Sequence, residues 1–473
     1  AAPTRLVILH TNDTHDHLTT YDKKDLKSMG GIARRTTLIK KEKLQNPGRV
    51  LVLDAGDVFQ GTPLFNFFHG EADYAAMDAA EYDASTVGNH DLDNGLANLQ
   101  KQHKGRKFKL ISTNLVDAAS GKPVFMPHWI VERSGLKVGI FGILGEGSAW
   151  AAVAPKQQEG LKVLDRIPTA RKAVEELKAK GANFIVMLSH SGLEEDKQLA
   201  AAVSGIHVIV GGHSHTKVDA PIPVKNGDWS TLVLQAYQWG EYLGRLELEV
   251  EGGKIVSTNG YLVPIAGDIP EDPDVAKIVA SYDGQIRDKM GKVIGQAPRG
   301  LSVESKYERD CELGNWATDL LRTKTGSDIA ILNSGGLRAP INPGPVRVAD
   351  IFTVFPFENR VVKLRLSGAL IQRVLDQVAA KEISMLQVSG LTFRIEGGKA
   401  KDVKVGGSPL DTGKAYQITT IDYVAQGGDK YAAFTEGTAF QDSGILLRDF
   451  VMDYVKANPN VEPPTDRRIA VSK

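Results

Sequence analysis

The stretch "HTNDTHDHL" at residues 10–18 puts three histidines and two aspartates into nine positions, directly after the apolar run "RLVIL". Imidazole nitrogen and carboxylate oxygen are the donors that divalent metals between hard and soft prefer. The same chemistry recurs after other apolar runs. "VLVLDAG" leads into Asp57, "ASTV" into "GNHDLD" with Asn89, His90 and Asp93, "FIVML" into "SHSG" with His190, and "IHVIV" into "GGHSH" with His213 and His215. Together with Asp13 and His15 these residues could hold two cations. Two cations ~3.5–4 Å apart can clamp the attacking and leaving oxygens of a displacement at phosphorus. One carboxylate must bridge such a pair, and Asp57 is the candidate. Two divalent cations, the Asp13 and Asp57 carboxylates and one hydroxide leave a charge of about +1, suited to a phosphate anion. A neutral ligand such as Asn89 keeps that charge in place. His69, His103, His128 and His207 stand alone and are read as surface or structural groups, while His10 and Asn12 are read as supports of the metal loop.

Continuous apolar runs of this kind suit strands buried on both faces. Between them lie amphipathic stretches such as "PTARKAVEELKAKG" (168–181), with Pro at the start and Gly past the end. The alternation indicates α/β architecture, in which loops at strand ends converge on one site. "STLVLQA", "LGRLELEVEGG" and "KIVSTNGYLVPI" read as antiparallel strands closing this half. "AGDIPEDPD" (266–274) then breaks the pattern, and a helical stretch, "VAKIVASYDGQIRDKMGKV", follows. The reading is therefore a first domain over 1–266, a linker with a helix over 267–294 and a second domain of mixed helices and strands over 295–473.

Bulk composition sets outer limits. A chain of 473 residues exceeds one ordinary core. Its 42% hydrophobic and 24% charged residues are those of a soluble globular protein. Lys+Arg and Asp+Glu both number 57, so no net field argues for a nucleic acid polymer or an anionic membrane. Cys311 is the only cysteine, which excludes an internal disulfide and a thiolate metal cluster. No apolar run reaches the length of a membrane span. The N-terminus "AAPTRLVIL" begins without methionine, as after removal of a signal peptide, so a periplasmic or secreted protein is expected.

"HTNDTH", "GDVFQG", "GNHDLD", "LSHSG" and "GGHSH", in this order, closely resemble the calcineurin-like metallophosphoesterases, specifically the 5′-nucleotidase branch of bacterial periplasmic type. The resemblance implies a four-layer α-β-β-α metallophosphoesterase sandwich followed by a smaller α+β substrate-binding domain. It would place Asp13, His15, Asp57 and His215 on one divalent metal, and Asp57, Asn89, His190 and His213 on another. The metals would be Zn, Mn, Co or Fe. His90 resembles the family's catalytic histidine, with Asp93 to orient it, and His17 stands where some relatives carry an arginine near the substrate phosphate. "YERDCELGN", "LNSGGLRAPI", "FPFENR" and "DYVAQGGD" extend the resemblance through the second half. There Arg309 and Arg338 correspond to arginines that grip phosphate, Asn333 to an asparagine on the base, Phe357 and Tyr423 to aromatics that sandwich it, and Asp429 to a carboxylate on the ribose hydroxyls. Ser334 departs from the glycine usual in relatives, and Tyr423 from a frequent phenylalanine.

The implied activity is hydrolysis of nucleoside 5′-monophosphates to nucleoside and phosphate by in-line attack of a hydroxide held by two metals, with the linker letting the halves close on substrate. Alternatives within the superfamily are a 2′,3′-cyclic-nucleotide phosphodiesterase and a nucleotide-sugar hydrolase; the Phe357/Tyr423 pair argues against a thiosulfohydrolase. An exported two-domain solute-binding protein is the alternative of a different class, but a binder has no need of the His90–Asp93 pair. The sequence carries no G-x-S-x-G, H-E-x-x-H or P-loop signature.

Overall fold

The computed structural model describes residues 3–23 and 26–472; Ala1 and Ala2, on which the expectation of a removed signal peptide rests, lie outside them. The chain divides into two compact units, Ala1–Gln285 and Ile286–Lys473.

Two six-stranded sheets build the first unit. One has the order Lys254–Pro264, Tyr242–Glu251, Thr4–Thr11, Val50–Asp54, Ala84–Thr86, Lys109–Ile111. The other has the order Ile222–Asn226, Trp229–Leu234, Val208–Gly211, Phe184–His190, Leu136–Leu144, His128–Arg133. Four strands at one side of the first sheet and four in the middle of the second are parallel, so their C-terminal ends share an edge. Alternate side chains serve two cores, as the period of a strand requires. Leu6, Ile8, Leu51, Leu53, Val186, Leu188, Val208 and Val210 meet between the sheets. Ile185, Met187 and Ile209 face outward onto Ala173, Leu177 and Leu199 of the helices Arg166–Ala179 and Leu193–Ala202. The helix Ile32–Gln45 packs on the strand Val50–Asp54 of the first sheet. The layers are helix, sheet, sheet, helix.

One expectation is corrected. "STLVLQA" does not close the half as an antiparallel strand beside its two successors. The strand Trp229–Leu234 joins the second sheet, parallel to Val208–Gly211 and antiparallel only to Ile222–Asn226. Its unbroken apolar run has the reason common to such strands: Leu232 and Leu234 enter the core between the sheets, and Val233 the core under the helices.

The second unit is smaller and α+β. Its five-stranded sheet has the order Leu386–Ser389, Ile329–Asn333, Ala415–Ile421, Arg360–Ser367, Thr438–Leu446. The helix Glu312–Thr325 begins at Cys311 and stops at Gly326, whose φ of 64° is the left-handed turn that ends helices. Ser367 caps the helix Gly368–Ala379 by accepting from Leu370 N at 3.2 Å. No helix among the described residues is long and apolar enough to cross a membrane.

Candidate active site

Five loops leave the C-terminal ends of parallel strands in the first unit and bring seven side chains together: Asp13, His15, Asp57, Asn89, His190, His213 and His215. Their donor atoms fall into two groups. In one, His215 Nε2 lies 3.1 Å from His15 Nε2 and 3.3 Å from Asp13 Oδ1. In the other, His190 Nε2 lies 3.1 Å from Asp57 Oδ2 and 3.1 Å from Asn89 Oδ1, which is 3.0 Å from His213 Nδ1. Asp57 Oδ2 is also 3.7 Å from His15 Nε2, so one carboxylate oxygen faces both groups. Asp13, His15, Asp57, Asn89 and His190 are fully buried, while His215 reaches the surface.

The backbone is bent to aim these groups. Asp13, His15, Asp57, His213 and His215 have φ of 51°, 47°, 54°, 73° and 50°. Each such left-handed residue costs about 1–3 kcal/mol unless its surroundings hold it there. Close packing at Gly88 is part of that holding, since a Cβ there would stand 2.2 Å from Asp57 Oδ1.

The ring nitrogens turned away from the cluster are fixed one by one. His15 Nδ1 lies 2.8 Å from Gln60 O, His190 Nδ1 2.7 Å from Ala55 O, His215 Nδ1 2.6 Å from Gln238 Oε1 and His213 Nε2 3.1 Å from Ser148 Oγ. A ring that donates from its far nitrogen presents a lone pair from the near one, which is how ligating histidines are held. The four near nitrogens and the two carboxylates therefore fit a pair of divalent cations. Charge supports the fit. Burial is the largest influence on His190 and opposes its charge, but the Asp57 and Asp13 carboxylates and the Ala55 carbonyl together outweigh it and raise the ring's pKa to about 10. Asp57, buried but facing His190, is held well below the usual carboxylate range. The pocket is built for positive charge. Burial lowers His213 to about 3, so that ring stays neutral, the state of a ligand.

His90 stands beside the cluster. Its backbone N–H donates to Asp57 Oδ1 at 2.7 Å, its Nδ1 is 3.0 Å from Asp93 Oδ2, and its ring is 5.4 Å from that of His15.

Several supporting residues are not among those the sequence singled out. Asp91, fully buried, accepts from the backbone N–H groups of Asp57, Val58, Phe59 and Gly88 at 2.7–3.1 Å, tying two of the loops together. Its place inside "GNHDLD" was the available clue. Gln238 and Ser148 lie outside every motif. Asn12 donates to Asp13 Oδ2 and Tyr237 O, and Trp239 N donates to Asp13 O at 2.7 Å. His17 stacks on the Trp239 indole at 4.7 Å with an interplanar angle of 10°. Gln60 contributes its carbonyl through the contact with His15. His10 instead packs under Gly244, where a Cβ would strike its ring. His69 contacts Asn94, His103 the Phe108 carbonyl, His128 Lys180, and His207 both Ile185 N and Gly253 O.

In the second unit, Asn333 ends a strand and donates from Nδ2 to Asp429 Oδ2 at 2.7 Å. Tyr423 OH donates to Asp429 Oδ1 at 2.8 Å, and its ring lies over Gly428, where a Cβ would meet it at 2.5 Å. The Arg338 guanidinium is 5.7 Å from the Phe357 ring centroid. Asn333 and Phe357 line one apolar cleft with Leu337, Phe355 and Ile421. Arg309 is exposed on the loop before the helix Glu312–Thr325.

Two family models and several known proteins match the chain. The family model described as calcineurin-like phosphoesterase covers residues 6–217, and that of the 5′-nucleotidase C-terminal domain covers residues 290–436. The chain is 27% identical to a 5′-nucleotidase of Vibrio cholerae over 97% of this chain and 91% of that protein. It is 29% identical to a 5′-nucleotidase of Diplobatis ommata over 99% of this chain and 90% of that protein. The crystal structure of a 5′-nucleotidase precursor from Thermus thermophilus superposes with a TM-score of 0.92 at 34% identity, covering 99% of both chains. A Thermus sulfate thiohydrolase at 18% identity and a TM-score of 0.85 shares the fold. The protein belongs to the 5′-nucleotidase family of metallophosphoesterases, hydrolases of nucleotides.

Proposed function

We propose that the chain hydrolyses nucleoside 5′-monophosphates to nucleoside and inorganic phosphate, using two divalent cations. Asp13, His15 and His215 would hold one cation, Asn89, His190 and His213 the other, and Asp57 both. Bound there, such cations polarise phosphoryl oxygens and make water acidic enough to attack near neutral pH. Imidazole and carboxylate donors without thiolate suit Zn, Mn, Co or Fe.

The rest of the work falls to the chain's own groups. With Nδ1 engaged by Asp93, His90 can carry a proton on Nε2 and deliver it to the ribose 5′ oxygen as the P–O bond breaks. In the second unit, Arg309 and Arg338 offer planar forks for phosphate oxygens. Phe357 and Tyr423 would flank the base, Asn333 would bond its edge, and Asp429 would accept from the ribose hydroxyls. Stacking is worth ~1–3 kcal/mol per base and tolerates any base, so the substrate range is broad. We also place its action in the periplasm or outside the cell, a location that fits the precursor form named for the Thermus relative.

The observation that carries this reading is the convergence of seven donor side chains on two groups that share Asp57, with His90 alongside. Phosphate release from AMP, 2′,3′-cyclic AMP and a nucleotide sugar, measured before and after chelation, tests it. EDTA should abolish turnover of AMP, and Mn²⁺ or Zn²⁺ should restore it. Full activity in protein shown by elemental analysis to be metal-free would overturn it.

A further inference from the structure

Two loops carry three of the six groups proposed to grip the nucleotide: 305–311 with Arg309, and 333–338 with Asn333 and Arg338. One buried amide joins them. Gln387 sits in the strand Leu386–Ser389, opposite Leu332 of the strand that ends at Asn333, and it is 0% exposed. Its Nε2 donates to Lys306 O at 3.1 Å and to Ser334 Oγ at 2.9 Å, with Arg309 O at 3.3 Å. Its Oε1 accepts from Cys311 N at 2.9 Å. Ser334, also fully buried, donates from Oγ to Lys306 O at 2.6 Å. Lys306 closes the circuit by donating from Nζ to Leu337 O at 2.6 Å.

The fold keeps room for this amide. A Cβ on Gly314 would come within 2.1 Å of Gln387 Oε1, so the helix that follows Arg309 can approach only because that residue is glycine. In a buried site, each of these backbone carbonyls and the Cys311 N–H needs a partner, and few side chains offer both donor and acceptor in one plane. Ser334 adds a hydroxyl that a glycine at this position could not supply.

We propose that Gln387, assisted by Ser334, is a positioning residue for substrate binding: it fixes the Arg309 loop against the Asn333–Arg338 loop before the nucleotide arrives. This rests on reading the second unit as the nucleotide grip. Loops held in the bound geometry spare the ordering cost of binding, so loosening them weakens binding rather than the chemical step.

Gln387→Glu keeps the acceptor for Cys311 N but removes the donor to Lys306 O, Arg309 O and Ser334 Oγ. Ser334→Gly removes the hydroxymethyl group, leaves Gln387 in place and lies outside the strand Ile329–Asn333. Steady-state kinetics on AMP with the metal-loaded protein, held below each variant's melting midpoint, should show KM raised about 10-fold or more for Gln387→Glu. Ser334→Gly should raise KM less, about 3-fold. In both, kcat and metal content should stay near wild type. Should Gln387→Glu not fold, Ser334→Gly decides the question alone. Asn333→Ala and Arg338→Ala serve as the reference. If they raise KM while Gln387→Glu and Ser334→Gly lower only the melting midpoint, the positioning role is overturned and the amide serves packing. If Asn333→Ala and Arg338→Ala leave KM unchanged, the underlying reading of the second unit fails, and this inference with it.

Discussion

His90 and Gln238 touch the same cluster in different capacities, and substitution separates them. The link from His90 to Asp57 runs through its backbone N–H, so changing the side chain leaves that bond in place. His90→Asn should lower kcat by ~10²–10⁴-fold, the range for a general acid, with both metal equivalents retained. Loss of one equivalent by elemental analysis would make His90 a ligand instead. Gln238 acts the other way. It holds His215 from behind at 2.6 Å and reaches no other residue of the cluster in the described contacts. Partners of this kind typically change metal affinity 10–100-fold. Gln238→Ala should weaken metal binding by about that factor, read by titrating metal into chelated protein, while kcat at saturating metal remains close to wild type. A tenfold fall in kcat with unchanged affinity would move Gln238 from support to catalysis.

The elements carry their own titration. His207 precedes the strand Val208–Gly211, and its ring stacks on Phe184 at 4.3 Å. Its Nδ1 accepts from Ile185 N at 3.0 Å and its Nε2 donates to Gly253 O at 2.9 Å, which specifies the neutral ring. A second proton would face an N–H. Burial accordingly lowers the pKa from 6.5 to about 4. A group depressed in this way adds stability that is complete above pH 6.5 and is lost as pH falls toward about 4. At ~1.4 kcal/mol per pKa unit, the loss is at most about 3–4 kcal/mol. Urea unfolding of wild type and His207→Gln should therefore show the wild-type advantage shrinking across that window. An advantage constant with pH would mean that the ring accepts its second proton without penalty.

At the scale of the whole molecule the question is division of labour between two units with separate cores. Phe357 and Tyr423 lie in the second unit and the seven clustered donors in the first. Changing both aromatics to alanine should cut kcat/KM for AMP, GMP and UMP by roughly 10²-fold, given ~1–3 kcal/mol per stacking contact. Ribose 5-phosphate, which has no base, should be nearly unaffected. Equal losses on AMP and ribose 5-phosphate would assign both rings to packing. Tyr423 has a second attachment, its hydroxyl on Asp429, so Tyr423→Phe isolates stacking from that bond. A Tyr423→Phe protein with AMP kinetics near wild type would leave stacking as the ring's contribution.

The sequence alone marked the donor chemistry, because imidazole and carboxylate groups crowded after apolar runs are conspicuous whatever the fold. Parallel strands place their C-terminal ends on one edge, so five local motifs became one cluster without any long-range information beyond strand order. The same logic made the α/β class and the smaller α+β half legible. What the sequence could not show depends on contacts between distant segments. Trp229–Leu234 took its neighbours from the second sheet because both of its faces found a core. Asp91, Gln238, Ser148 and Gln387 are ordinary residue types with no periodicity to mark them; each matters through the backbone group or ring that the tertiary structure sets opposite it. The left-handed turns at Asp13, His15, Asp57, His213 and His215 were equally hidden, since local preference reserves that conformation largely for glycine. Only the surrounding packing and hydrogen bonds hold aspartate and histidine there.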